Sequence, residues 1–283
     1  APMSWSLFKR MWREKRLGAI GGLIFLLFLL CGIFADFLAP YGMNEPDLTV
    51  RLQAPSAEYF FGTDHLGRDV FSRVLIGAQL SLVVGFLAAG LATIVSIVVG
   101  VLSGYFGGRI DMFIQRFVDA WMTFPDLLLL IVVISILGPG MPQIIIVLGF
   151  LYGIAGSRIV RGSVVSVRET MYTHAAQSMG ASTLRILFKH ILPNVMPVVI
   201  VLFTTRVGAT ILAEAGLSFL GLGVPPPSPT WGSMLSGTGR TYMYLGPWLA
   251  LAPGLCLTIV VYAINVYGDA LRDLIDPRMR GVR

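Results

Sequence analysis

Charge, cysteine and histidine are what this sequence has least of. Only 13% of its 283 residues are charged, against 55% hydrophobic. A soluble domain of this length cannot enclose so much apolar surface, whereas a bilayer solvates it, so the composition excludes a soluble globular enzyme and points to a membrane protein. The 2 cysteines, Cys31 and Cys256, both sit in apolar runs. They offer neither a disulfide framework nor a metal-ligand spacing and read as packing residues. No G-x-x-x-x-G-K-[ST] loop occurs, so any ATP that drives this protein is hydrolysed by another chain. No internal repeat, inverted or parallel, is visible, which weighs against the transporter folds built from repeats. In a soluble protein the net charge of +6 would suggest nucleic acid; here the basic residues cluster beside apolar runs, as topology signals do.

What is present is a series of apolar windows. Six spans fit: 17–38, 80–106, 113–137, 142–159, 194–214 and 247–268. The first is too long for a secretory signal and long enough to cross a ~30 Å hydrocarbon core, so it is expected to stay as an anchor. Gly138-Pro139-Gly140-Met141-Pro142 reads as a tight turn between the third and fourth spans. Because 127–137 alone is too short to cross, the third span is expected to begin near Phe113 and to take in Arg116, Asp119 and Asp126. With the N-terminus inside, sixteen of the 21 lysines and arginines fall on cytoplasmic segments. Only Arg51, Arg68, Arg73 and Arg240 fall outside, and Arg206 lies within a span. This bias places both termini in the cytoplasm and makes 160–193 a cytoplasmic loop.

That loop is small, polar and basic in an otherwise apolar chain. Val164, Val167, Met171 and Ala175 recur at helical spacing and are expected to share a face. Gly180 suits the left-handed residue that closes a helix. Ser182 is a fair N-cap for a second helix carrying an apolar stripe of Leu184, Leu187, Phe188 and Ile191, and Pro193 is expected to stop or kink it. The tip between them, Ala175, Ala176, Ser178, Gly180 and Ala181, has almost no side chain and suits insertion into a cleft on another protein. Arg185 and Lys189 flank it, placed to meet acidic residues at the cleft's rim.

The stretch 175–194, AAQSMGASTLRILFKHILPN, resembles the loop motif of ABC importer permeases: Glu-Ala-Ala, three residues, Gly, nine residues, an apolar residue, any residue, then Leu-Pro. Ala175, Ala176, Gly180, Leu192 and Pro193 are in register, while His174 stands at the Glu position and His190 at the apolar one. FGTDHLGRDVFSRVLIGAQLSL (61–82), DAWMTFPDLLLL (119–130), ILAEAGLSFLGLGVPPPSPTWGSML (211–235) and GDALRDLIDP (268–277) are similar to the dipeptide, oligopeptide and nickel branch, specifically to its second permease subunit. The resemblance covers nearly the whole chain. It implies an all-α polytopic protein of the type I ABC importer permease fold with six transmembrane helices. Residues 1–79 would form a basic segment, anchor helix and external loop, and 80–283 the permease core.

The same resemblance implies a non-catalytic subunit in the bacterial cytoplasmic (inner) membrane that imports di- or oligopeptides by alternating access. Its partners would be a second homologous permease, two ABC ATPases and an external substrate-binding protein, with lipid but not nucleic acid around it. No cofactor is expected on this chain, ATP and Mg being held by the ATPases. The 163–193 loop, with His174, Ala175, Ala176, Gly180, Ala181, Ser182, Arg185, Lys189, Leu192 and Pro193, would transmit ATPase closure to the spans.

The polar residues of the spans carry the other candidates. Arg206 and Glu214 lie two turns apart on the fifth span and so share a face. A charge in hydrocarbon costs at least ~2.5–3.5 kcal/mol, so Arg206 must meet a partner span or a watery path. Asp126 follows Pro125, whose freed carbonyl suits a hydrated cavity. Asp126, Arg206 and Glu214 are therefore candidates for a translocation path, against the plainer reading of structural polar contacts. Arg116 and Asp119, three apart, read as a structural pair. Outside, Asp64, His65 and Asp69 form either a ligand cluster or a cap for the following helix; His65 cannot join His174 and His190 across the membrane. Asp64, Arg68, Asp69 and Trp231, with the proline-stiffened 223–235 loop, are candidates for docking the binding protein. The alternative from another class is an ion-coupled secondary transporter using Asp119, Asp126, Arg206 and Glu214.

Overall fold

Helices follow the apolar windows but overrun them, because a hydrogen-bond ladder continues past the hydrophobic stretch until something breaks it. A computed structural model describes residues 3–275. Asp276 and Pro277 of the C-terminal motif and the basic Arg278, Arg280 and Arg283 lie outside the described residues. In chain order the helices are α1 (Met3–Glu14), α2 (Arg16–Ile33), α3 (Ala35–Leu38), α4 (Val70–Phe106), α5 (Gly108–Met122), α6 (Asp126–Leu137), α7 (Met141–Arg168), α8 (Met171–Ser178), α9 (Thr183–Ile186), α10 (Leu192–Phe219), α11 (Trp231–Leu235), α12 (Gly237–Tyr242) and α13 (Trp248–Ile275). No strand occurs among the described residues.

Five helical stretches are long and apolar enough to cross a bilayer: α2, α4, α7, the run Thr183–Phe219, and α13. Taken together, α5 and α6, bent by 88° from one another, have the length and apolarity of a sixth. The sequence predicts one span over 113–137, and the structure breaks that stretch into two helices. Pro125 lacks the N–H an α-helix needs and restricts Phe124 before it. α5 accordingly ends at Met122, and Pro125 takes an extended ψ of 128°. Arg116 and Asp119 thus sit on a separate helix rather than inside a continuous span.

α4 begins ten residues before its apolar window, and its cap explains why. The Asp69 carboxylate accepts hydrogen bonds from the Ser72 amide (2.8 Å) and hydroxyl (2.6 Å), satisfying donors at the helix start. The helix then runs 37 residues to Gly107, whose φ of +64° ends it.

The tightest helix pair is α4 against α7. Ala88, Ala92, Ser96, Gly100 and Gly104 recur every four residues on α4 and are all buried. They face Gly149, Gly153, Gly156 and the valines Val160 and Val164 of α7. A Cβ added to Gly100 would lie 2.7 Å from both the Ser157 carbonyl oxygen and Val160 Cβ. Inside a membrane water does not drive helices together, so close backbone approach through small residues is what supplies the dispersion energy. Ser96 adds a hydrogen bond to the Gly153 carbonyl at 2.9 Å. α2 packs on α13 in the same manner, with Gly21 against the Ala263 carbonyl.

The middle of the bundle is filled by Phe25, Leu82, Val207, Ile211, Trp231, Val260 and Ile264. Val101, Val160, Val164, Ile186, Ile191 and Val195 form a second cluster where α4 and α7 end, which roots the 169–191 loop. Many of the remaining apolar side chains face outward, among them Leu127, Val132 and Ile136 of α6 and Leu251 and Tyr262 of α13, as a lipid-facing surface requires.

Candidate functional site

The 169–193 segment projects from one end of the bundle as a helix–turn–helix. Arg168 closes α7 by donating from Nη1 to the Tyr105 carbonyl (3.0 Å) and from Nη2 to the Glu169 carboxylate (2.8 Å). The guanidinium hydrogen bond holds the Glu169 carboxyl below its ordinary range. Thr170 and Thr173 both donate hydroxyls to the Val167 carbonyl, at 2.7 and 3.0 Å, turning the chain into α8.

α8 ends in a Schellman arrangement: Gly180 N–H donates to the Gln177 carbonyl (2.9 Å) and Ala181 N–H to that of Ala176 (3.1 Å). Gly180 has the expected left-handed backbone, with φ at +77°. Ser182 stands at the N-cap of α9, but its hydroxyl makes no cap bond. Pro193 does not stop the helix. It lacks the N–H of an α ladder, and the preceding Leu187–Ile191 winds as a π turn in which Leu192 N–H reaches Leu187 O. Asn194 covers the His190 carbonyl through Nδ2 at 2.6 Å.

Two expectations about this loop need correction. Met171 does not share a face with Val164 and Val167, because the helix breaks at Glu169–Thr170; Met171 is 91% exposed. Of the stripe Leu184, Leu187, Phe188 and Ile191, Ile191 alone is buried. Ile186 and Ile191 turn into the bundle, while Leu184 and Phe188 are 67% and 68% exposed. Ala176 is buried and belongs to the root of the loop. The tip comprises Ala175, Ser178, Met179 and Gly180, all exposed, with Arg185 and Lys189 exposed beside it. A Cβ on Gly180 would meet nothing within 4 Å. His174 lies 3.7 Å from Glu169, so a carboxylate stands next to the position where the family motif has one.

The intramembrane polar residues do not converge. Glu214 is fully enclosed, accepting from Ser218 Oγ (2.6 Å) and, at the limit of hydrogen bonding, from Ser81 Oγ (3.5 Å). Arg206 instead lies over the Tyr152 ring, 5.1 Å from its centroid; its Nε is buried and unpartnered. Thus their eight-residue spacing does not make them a pair. The Arg206–Tyr152 contact joins α10 to α7. Asp119 makes a close ion pair with Arg158 of α7, and the expected partner Arg116 is secondary at 3.9 Å. Tyr152 and Arg158 had no signature in the sequence, because each acquires its role only through a neighbouring helix. A relay through Asp119, Asp126, Arg206 and Glu214 finds no support in this arrangement.

At the opposite end, the 63–69 turn is knotted to itself. Asp64 accepts from the amides of Leu66 (2.8 Å) and Arg68 (3.0 Å) and from Arg68 Nε (2.7 Å). Asp69 is the cap of α4, so the capping reading of this motif describes what the side chains do. No group of three or more His, Cys, Asp or Glu among the described residues is placed to hold a metal ion. Trp231 cannot present to a docking partner: it is 0% exposed, stacked edge-on with Phe28 and donating Nε1–H to the Val74 carbonyl at 3.1 Å. The 221–235 loop folds back over α10, carrying Trp231 into the core. Pro225, Pro226 and Pro227 remain exposed at its crest.

Residues 96–281 match the family model of binding-protein-dependent transport system inner membrane components, and residues 4–55 that of the N-terminal transmembrane domain of oligopeptide transport permease C. The chain is 42% identical over 273 residues to the dipeptide transport system permease protein DppC of Alkalihalophilus pseudofirmus, covering 96% of this chain and 89% of that one. It is 39% identical to the glutathione transport system permease protein GsiD of Escherichia coli, covering 98% and 91%. Among solved structures, an inward-facing MetNI methionine ABC transporter chain shares the fold, with a TM-score of 0.58 at 20% identity over 72% of this chain and 96% of that one. The projecting loop, the bent third span and these matches agree, and the chain belongs to the family of inner-membrane permease components of binding-protein-dependent ABC importers.

Proposed function

We propose that this chain forms half of the translocation path of an ATP-driven importer for di- or oligopeptides, paired with a second, homologous permease. The reading is supported by the names of its relatives and by one structural observation. The 169–193 loop projects from the bundle with Met171, Met179, Leu184 and Phe188 exposed around an unencumbered Gly180, as a surface that enters another protein requires. In this reading the loop end faces the cytoplasm and meets one of two ATPases, which hold ATP and Mg. Ala175, Gly180 and Ala181 supply the close approach, while Arg185 and Lys189 meet acidic rim residues. His174 and Ser182 lie on the same surface, and Ala176, Leu192 and Pro193 root it.

The opposite end receives the substrate-binding protein. Arg206, Asp126 and Tyr152 line the path, and Glu214 braces the external loop against α4 and α10. ATPase closure displaces the rooted loop, and α7 and α10, continuous with its two ends, carry that displacement into the membrane. Affinity purification of the tagged chain from mild-detergent membranes tests this. The expected result is co-purification of a second permease and a Walker-motif ATPase, lost on Gly180→Trp for the ATPase alone. Purification of the chain by itself under several detergents would overturn the reading.

A further inference from the structure

At the end of the bundle opposite the projecting loop, a cavity of about 510 Å³ opens between the 64–73 segment and the 221–237 loop. Its polar lining is Arg68, Arg73, Ser218, Ser228, Ser233 and Ser236, under a rim of prolines; no carboxylate lines it. One acid serves both arginines. Asp64 is engaged closely by Arg68 at 2.7 Å and only loosely by Arg73, whose Nε is 3.8 Å away. The other nearby acid, Asp69, is turned to Ser72. Arg73 is 8% exposed, its Nη1 fixed by the Met43 carbonyl at 2.6 Å, and its Nη2 makes no hydrogen bond among the described residues. Ser218, Ser233 and Ser236 donate their hydroxyls to Glu214, the Thr230 carbonyl and the Ser233 carbonyl, so Ser228 and the unspent Arg73 Nη2 are the donors left to the cavity, an arrangement that suits an anion.

We propose that this cavity is a carboxylate-binding site with Arg73 as its cation. The chemistry suits two sources, the terminal carboxylate of a peptide substrate or an acidic side chain of the protein that delivers it. The proposal rests on the orientation given above, with this end outside. Buried positive charge in a walled cavity also raises the local concentration of anions over cations, a steering effect of roughly 10–1,000-fold on rates.

The test uses the assembled importer in membranes, with Ser228→Cys as a reporter in the cavity and Ala54→Cys as a control on the same end. Cys31 and Cys256 lie in apolar spans, and the unsubstituted chain is the blank. Impermeant methanethiosulfonates carrying either a sulfonate or an ammonium group are added from outside. The expected result is a sulfonate-to-ammonium rate ratio about tenfold higher at Ser228→Cys than at Ala54→Cys. Arg73→Gln should abolish that excess. If this variant does not assemble, the ratio in the otherwise unchanged chain decides.

Protection separates the sources. Slower labelling with a binding protein loaded with a free-acid peptide, but not with the same protein empty, assigns the carboxylate to the substrate. Equal protection by loaded and empty protein, lost when that protein's acidic residues are neutralised, assigns it to the partner. A ratio equal at the two cysteines, or protection unaffected by removing either carboxylate, overturns the site. An importer that moves no peptide yet keeps the high ratio would overturn the substrate reading and leave the site standing.

Discussion

Arg161 of α7 grips Asp111 of α5 with two prongs, Nε to Oδ1 at 2.6 Å and Nη2 to Oδ2 at 2.5 Å. Ser103 of α4 donates to the same carboxylate and is itself held by Gln115 Nε2 at 2.9 Å. Three helices therefore meet at one acid near the root of the projecting loop. Both side chains are partly exposed, which limits the energy. A double-mutant cycle with Asp111→Asn and Arg161→Gln should give a coupling of about 1 kcal/mol in thermal unfolding in detergent. Purely additive effects would show that the pair does not tie α5 to α7.

Gly180 holds a left-handed turn with open space around it. Gly180→Ala should cost about 1 kcal/mol of local stability and leave transport near normal, because an added methyl meets nothing within the chain. Gly180→Trp should carry the same kind of left-handed strain, about 1–2 kcal/mol confined to the loop, leave the bundle folded and inserted, and abolish ATP-driven uptake. Uptake by the Trp variant at the normal rate would remove the loop from the coupling route.

The α4–α7 contact depends on the absence of side chains. Gly100→Leu forces a branched chain against the Ser157 carbonyl and Val160, and should destabilise by about 1–3 kcal/mol or more. Gly90→Leu, where a Cβ meets nothing within 4 Å, is the control and should be nearly silent. Thermal unfolding of the two purified variants compares them directly.

His65 stacks flat on Tyr242, with ring centroids 5.4 Å apart and planes at 5°. Burial pushes its imidazole below the ordinary histidine value of 6.5. The unfolded chain then binds a proton at a pH where the folded loop does not. The stability this packing contributes is present above the ordinary value and declines as pH falls through it toward the lower folded value. The protection factors of residues 40–69, that is exchange relative to the base-catalysed intrinsic rate at each pH, should therefore fall on acidification, and His65→Gln should flatten that dependence. An unchanged pH profile in the variant would assign the effect elsewhere.

The spans were legible because each is a long apolar window, and the Gly180 turn because a left-handed residue suits glycine. The break at Thr123–Pro125 carried its own signal in the proline, yet the need for length argued for a continuous span over 113–137. Length is decided by the bilayer and the break by the backbone, and the backbone prevailed. Trp231 misled for a different reason. Its position in a proline-rich loop reads as exposed, and only the return of that loop onto α10, where Gly232 packs against Ala215, puts the indole inside. Arg206 was marked as needing company, but its companion, Tyr152, is set by the register of α7 against α10, which no local pattern encodes. The small residues at every fourth position of α4 were visible throughout and become a helix interface only once α7 is seen to supply the facing surface.

At 1.5 Å per residue, the 37 residues of α4 make a rod of about 55 Å, well beyond the ~30 Å of hydrocarbon. Its first turn is stitched to the 63–69 knot by Asp69, and its last carbonyls are stitched to Arg168 at the base of the projecting loop. A beam clamped at both ends in this way converts angle into distance: pivoting by only 5° about one end sweeps the other through about 5 Å, nearly the pitch of one helical turn. Small rocking at either membrane surface is thereby magnified at the other without any bond in between having to break.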